Sequence, residues 1–359
     1  MKKLISVLLS LAIMAGLCAA MPLSAAAEDR DAVFAEAVAR LFPVEGSHAP
    51  DAALELLLPL AESGDAEAQY YCGWIYDFEL EENMETELEA YNWYEKAMEG
   101  GIPKAFVGAA LNSFAESPQK SDELLNHAFS NGFLEMSDDE LGADGLFWIG
   151  FMHELGFGLE QDEEEALNYY TKAAEKNSVL SMVNAATLLD GYYMVSPKGK
   201  LCIALYEKAA ARNYAPAMYS LGLKHYFNYY EGVESGIQFA FDWFGKAAGL
   251  GHAESMYMLG SMYQSGEGTE IDLPLAFEWY SKAVELGNTD AMCMLGHMYR
   301  DGIYVAQDYD TAMDCFIDAA VLGNYSASLV VDMMKTANQG MNTYRERESE
   351  FLAALAQFE

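Results

Sequence analysis

Residues 255–283 read SMYMLGSMYQSGEGTEIDLPLAFEWYSKA, and this stretch decides the fold. Ser255, Leu259 and Tyr263 recur at i, i+4 and i+8, which places them on one face of an α-helix. Gly260, beside the leucine, lets a paired helix come close. Gly266-Glu267-Gly268 then supplies a turn with backbone conformations closed to most residues. Asp272 stands where a second helix begins, a position that favours a carboxylate through capping and the helix dipole. Pro274 falls in that helix's first turn, where a missing N–H costs little. Trp279, Tyr280, Lys282 and Ala283 follow on the second helix, and Gly287 reads as its stop.

The pattern is periodic. The next copy carries Ala291, Leu295, Gly296, Tyr299, Gly302, Asp308, Phe316 and Ala319. The Leu-Gly landmark is traced through Cys72-Gly73, Ala109-Ala110, Ile149-Gly150, Ala185-Ala186, Leu221-Gly222, Leu259-Gly260, Leu295-Gly296 and Val331-Asp332, in steps of 37, 40, 36, 36, 38, 36 and 36 residues. A second landmark keeps the same period: Trp93-Tyr94, Leu124-Leu125, Tyr169-Tyr170, Leu205-Tyr206, Trp243-Phe244, Trp279-Tyr280 and Cys315-Phe316. Two landmarks on one period predict a stack of helical hairpins.

These residues resemble the Sel-1-like repeat family, relatives of the tetratricopeptide repeats, over about residues 51–338. The resemblance implies an all-α, right-handed α-solenoid. It divides the chain into a signal peptide (1–27), N-terminal capping helices (28–64), seven repeats (65–323) and C-terminal capping helices (324–359). The leading helix is expected at Asp51–Ser63, a trailing one at Tyr325–Thr336 and a charged cap at Thr343–Phe358. The second copy departs most, with Ala110 for glycine, Ser113 for tyrosine and a short connector at Ser117–Lys120. The fourth copy also lacks the glycine.

Hydrophobic residues make up 52% of the chain, enough for a large core, and the formal net charge is −36. Such a charge repels nucleic acid phosphates and anionic headgroups. Lys2 and Lys3, the apolar run Leu4–Ala20 and the small triplet Ala25–Ala27 predict a signal segment cleaved before Glu28. The run is short for an uncleaved anchor. The chain is thus expected to be bacterial and exported, to a periplasm or the extracellular space, without membrane insertion after cleavage.

By the tetratricopeptide geometry, positions three before, one after and four after each landmark glycine face the binding groove. These are Tyr70, Trp74 and Asp77 in copy one, and Phe147, Phe151 and Glu154 in copy three. Copy five places Tyr219, Leu223 and Tyr226 there, and copy six Tyr257, Ser261 and Gln264. Aromatics are enriched where protein partners dock, and the carboxylates suit a basic partner. The alternative for each ring is packing between neighbouring hairpins.

No cofactor, metal or catalytic residue is expected. The acidic runs at Asp77–Glu89 and Gln161–Glu165 lack the alternating oxygen and glycine spacing of a calcium loop. Ser117-Pro118-Gln119-Lys120 matches Ser-x-x-Lys without a Lys-Thr-Gly partner. His153 and His225 replace the repeat tyrosine and read as packing residues. Cys72, Cys202 and Cys315 take core positions, while Cys293 and Cys315 lie on the two helices of one hairpin, a pair a disulfide could join. A scaffold for a protein or peptide fits best. The alternatives are a cell-envelope enzyme using groove carboxylates such as Glu154, and a structural or assembly role.

Overall fold

The computed structural model describes residues 23–80, 84–190, 197–227 and 236–356. They form 18 α-helices and one 3-10 turn, with no strand among the described residues. The chain divides into two compact units: one up to Val44 and from Ala49 to Leu141, the other comprising Glu45–His48 and the residues from Gly142 onward.

The first unit runs α1 (Leu23–Leu41), α2 (Pro50–Glu62), α3 (Ala66–Phe78), α4 (Met84–Glu99), α5 (Pro103–Ser113) and α6 (Pro118–Ser130), each packed on the next. Helix α1 is tied to the first repeat by Arg30, which donates to Asp65 at 2.6 Å and to Glu67 at 2.9 Å. Residues 1–22 of the expected leader lie outside the described residues.

Helix α7 (Asp138–Leu155) is broken at Gly142, whose φ of 70° is not helical, and the second unit takes up the chain from that residue. The hairpins that follow are α7/α8 (Glu163–Glu175), α9 (Val179–Leu188)/α10 (Pro197–Ala210), α11 (Ala215–Tyr226)/α12 (Ile237–Gly249), α13 (Ala253–Ser265)/α14 (Leu273–Glu285) and α15 (Thr289–Asp301)/α16 (Tyr309–Val321). Helices α17 (Tyr325–Thr336) and α18 (Met341–Leu355) close the chain. Arg347 on α18 reaches back to Asp314 and Asp318 on α16, at 3.2 and 2.7 Å.

The repeat residues explain this architecture. The second ring of each aromatic pair lies flat on the landmark glycine of its hairpin. A Cβ added at Gly73, Gly150, Gly260 or Gly296 would stand 2.6–2.8 Å from the ring of Tyr94, Tyr170, Tyr280 or Phe316. These rings are 0% exposed. The first ring of the pair is roofed by the lysine three residues on: Lys96 over the buried Trp93 at 3.8 Å, Lys246 over the half-buried Trp243 at 3.9 Å and Lys282 over the half-buried Trp279 at 4.3 Å. Where Ala110 replaces the glycine, Leu125 stands at the repeat position of the ring, and both are buried.

The turns are equally regular. Gly156, Gly158, Gly266 and Gly268 all hold φ of 70–77°. Asp162, Asp272 and Asp308 each donate their backbone N–H to the carbonyl of the repeat tyrosine position, His153, Tyr263 and Tyr299, at 2.9 Å. Their carboxylates then cap the following helix.

The first helices are capped in register by Asp65, Ser178, His252, Asn288 and Asn324, each accepting from the N–H three residues on. His252 is the titratable exception. Its Nδ1 lies 3.3 Å from the N–H of Ser255 and 3.1 Å from that residue's hydroxyl, and a protonated imidazole loses this acceptor. Burial holds its pKa below the ordinary 6.5, against the opposing pull of Glu254. The folded state therefore binds the proton less readily than the unfolded chain does. The cap's contribution is complete above about pH 6.5 and is lost as pH falls through the depressed folded value. His252→Asn, which copies positions 288 and 324, should remove this dependence. Between pH 7 and 5 the wild type should lose up to about 1 kcal/mol relative to the variant, read from urea midpoints. Parallel curves would contradict it.

Candidate partner-binding surface

The structure separates the expected groove positions into two groups. Tyr70, Trp74 and Phe147 are 1%, 0% and 2% exposed, which corrects the expectation that they face a groove. Tyr70 is enclosed by Tyr71 and Tyr94, with ring centroids at 5.0 and 6.1 Å, and Trp74 lies 4.8 Å from Phe78. Phe147 is wedged among Trp148, Phe151 and Tyr170. Phe151 is half-buried, stacked on Phe147. These rings hold hairpins together.

The side chain four after the glycine is engaged within the chain, as an acceptor at Asp77, Glu154 and Gln264 and as a donor at Tyr226. Asp77 accepts from the Tyr94 hydroxyl at 3.2 Å and from Asn112 at 3.1 Å. Glu154 accepts from Tyr170 at 2.6 Å, and Gln264 from Tyr280 at 2.9 Å. Tyr226, at the same position, donates to Glu267 at 2.6 Å. The second-helix tyrosine thus finds a fixed partner one hairpin arm away, as a buried phenol requires.

A strip in the second unit remains. Tyr219, Leu223, Tyr226 and Tyr257 are half-buried, resting on the core formed by Phe244, Leu259 and Tyr280. Tyr219 packs 5.8 Å from Phe244 and 5.0 Å from His252, and Tyr257 lies 6.0 Å from Tyr280. Each is packed against that core and remains partly exposed. Ser261 lies beside them, also half-buried. Glu254 and Asp290 lie close to this strip. Burial raises the phenol pKa of Tyr219 most, and the two carboxylates raise it further.

Reading the sequence missed part of this face. The equivalent positions of α15 are Cys293, His297 and Arg300, all half-buried. Those of α17 are Leu329 and Met333, 48% and 66% exposed. Extending the 36-residue step past Val331-Asp332 finds them.

Other candidate chemistry is absorbed by the fold. Ser117 Oγ accepts from the N–H of Lys120 and caps α6. Both border a cavity of about 270 Å³ shared with Glu87, Tyr91, Asn112 and Glu116. The Lys120 ammonium sits 4.5 Å over the Tyr91 ring, and Tyr91, Glu95 and Glu116 raise its pKa. That is the opposite of what a lysine base requires. Cys72 and Cys202 are buried, and Cys293 and Cys315 are half-buried and unbridged. Burial pushes the thiols up, to about 11 for Cys202 and Cys293 and about 12 for Cys72 and Cys315. His225 is buried and stacked on Phe239, and His153 on Tyr169. Glu81 and Glu82 of the first acidic run lie outside the described residues. Among the described residues, no three His, Cys, Asp or Glu side chains are grouped to hold a metal, and no helix is long and apolar enough to cross a membrane.

The Sel1 repeat model matches residues 66–102, 143–178, 179–214, 215–252, 253–288 and 289–324. It passes over the hairpin carrying Ala110 and Ser113. Among solved structures, a Sel1 repeat protein from Oxalobacter formigenes is similar with a TM-score of 0.54 and 22% identity, covering 85% of this chain and 86% of that one. Chitin synthase regulatory factor 3 of Schizosaccharomyces pombe is 31% identical over 125 residues, 34% of this chain. An uncharacterized protein of Neisseria meningitidis serogroup B is 27% identical over 191 residues, 50% of this chain. The chain spans 13% and 36% of the length of these two relatives. Sel1 repeat proteins generally act as scaffolds for protein–protein interaction and are typically not enzymes. With matched segments over more than half its length, on the stacked hairpins described above, this chain belongs to the Sel1 repeat family.

Proposed function

We propose that this protein is an exported scaffold that binds a protein or peptide through the first-helix face of its second unit, the face that is concave in stacks of this class. The observation that carries the reading is the strip Tyr219, Leu223, Tyr226 and Tyr257. These side chains are half-buried against a packed core, so a partner ordering them gives up little rotamer freedom. A net charge of −36 disfavours nucleic acid and favours a basic partner. Export is supported by Lys2, Lys3, the apolar run and the alanine triplet.

Capture from the producing cell's envelope and medium, with the full chain immobilised, tests the binding site. Tyr219→Ala with Tyr257→Ala should reduce recovery of the captured protein at least tenfold while the helical circular dichroism stays unchanged. Undiminished recovery contradicts the assignment. A reporter fused after residue 27 should leave the cytoplasm, and retention would contradict export.

A further inference from the structure

The second repeat lacks a side chain that the later repeats use to fill the space between hairpins. Three residues after the landmark glycine, Tyr263 and Tyr299 pack against rings of the preceding second helix, Phe241 and Phe277. The ring centroids are 5.4 and 5.9 Å apart and the planes stand near right angles. The connectors of these repeats reach the same preceding helix. A Cβ at Gly268 would stand 2.9 Å from Ile237, and Tyr304 packs 5.7 Å from Phe277. The first hairpin keeps the receiving ring: Tyr91 on α4 holds the position of Phe241 and Phe277, three before the buried ring. The second hairpin supplies neither the inserted ring nor the long connector. Ser113 stands where the tyrosine would be, and 15 residues separate Ala110 from Leu125, against 20 between Gly260 and Tyr280. Tyr91 and Ser113 both line the cavity of about 270 Å³.

We infer that this cavity binds a small, uncharged molecule carrying one aromatic ring, which takes the place of the missing tyrosine ring. The chemistry follows from the walls. Ser113 Oγ donates to the Ala109 carbonyl at 2.8 Å, and Asn112 Nδ2 donates to Asp77 and to the Gly108 carbonyl, both at 3.1 Å. Ser117 caps α6. These polar groups are satisfied within the chain. What remains is aromatic and apolar: Tyr91, half-buried, and Leu88, 61% exposed. The Lys120 ammonium lies 4.5 Å over Tyr91, and the cavity persists with it in place. Size points the same way. An apolar cavity of about 150 Å³ holds benzene, whereas drug-sized ligands take roughly 300–1,000 Å³. The guest ring meets Tyr91 in the tilted contact that aromatic pairs prefer, as Tyr263 and Tyr299 meet their own partners. Glu87 and Glu116 at the border repel an anionic ring. The site lies within the first unit and is separate from the protein-binding strip of the second.

The test is NMR titration of the full chain with p-cresol, the tyrosine side chain as a free molecule, uncharged below a phenol pKa of about 10. Binding should be saturable, with a Kd of about 1 mM or tighter. The comparison probe is 4-methylcyclohexanol, which keeps the size and the hydroxyl without the aromatic ring. It should bind about threefold more weakly. Ser113→Tyr restores the repeat residue and should abolish p-cresol binding. Ser113→Ala, which leaves the space open, should change it less than twofold. Tyr91→Leu removes the receiving ring and should weaken it about threefold. Circular dichroism checks that each variant keeps its helices. Absence of saturable binding, equal affinity for the two probes, or undiminished binding by Ser113→Tyr overturns the inference. If Ser113→Tyr loses its helical signal, Tyr91→Leu decides: the threefold loss supports the site, and unchanged binding overturns it.

Discussion

Replacing Tyr280 with alanine is expected to destabilise the second unit by about 3–5 kcal/mol, the range for removing a large buried ring. Tyr280 is 0% exposed and lies on Gly260, with Tyr257 at 6.0 Å and Gln264 at 2.9 Å from its hydroxyl. Its removal leaves a cavity between α13 and α14 that a methyl cannot fill. Neighbouring repeats depend on this hairpin for burial, so the loss spreads along the stack. Tyr280→Phe keeps the ring and forfeits only the bond to Gln264, at about 1 kcal/mol. Urea unfolding separates the two. Equal effects from Ala and Phe would mean that the hydroxyl, and not the ring on the glycine, holds the hairpin.

The second large effect comes from the other side of the same contact. A Cβ at residue 260 would stand 2.6 Å from the Tyr280 ring, inside any ordinary contact distance. Gly260→Ala should therefore cost about 1–3 kcal/mol through overpacking, despite alanine's better helix propensity. In the second repeat the alanine at position 110 comes with Leu125 at the ring position, a smaller and more flexible side chain, and both are buried. The fourth repeat sets the lower end, since it keeps Ala186 on the hairpin of the buried Tyr206. Gly260→Ala combined with Tyr280→Leu should be less destabilising than the sum of the two single changes, by about 1 kcal/mol of coupling. Strict additivity in urea unfolding would contradict the ring-on-glycine account.

The sequence was legible where a residue's role is local. The close helix approach at the landmark glycines, the caps at Asp272 and Asp308 and the positive-φ turns follow from helical spacing and backbone sterics, and the structure has them where the period places them; that the second ring of each aromatic pair fills the space over the glycine emerges only from the structure. Helix Tyr325–Thr336 matches its expected bounds, and the leading helix begins one residue early, at Pro50. The groove was legible only as a set of positions. Whether a ring at such a position is open depends on what neighbouring elements bring, which one repeat cannot reveal. Tyr70 is closed by Tyr71, Tyr94 and Lys104, whereas Tyr257 packs on Tyr280 and stays half-buried. Asp77 and Glu154 looked like ligands for a partner, but each is committed to a tyrosine hydroxyl on the second helix. The break at Gly142 was invisible because a glycine near a helix start reads equally well as part of the helix.

The central claim is that binding occurs on the half-buried first-helix strip of the second unit and not on the second helices. A photoreactive phenylalanine in place of Tyr257 samples the strip. The same group in place of Phe239, an exposed ring on α12, samples the other face. Irradiation of the full chain in extract of the producing cell should yield a protein adduct from position 257 and none from position 239. Equal yields from the two positions, or an adduct from 239 alone, would contradict the account.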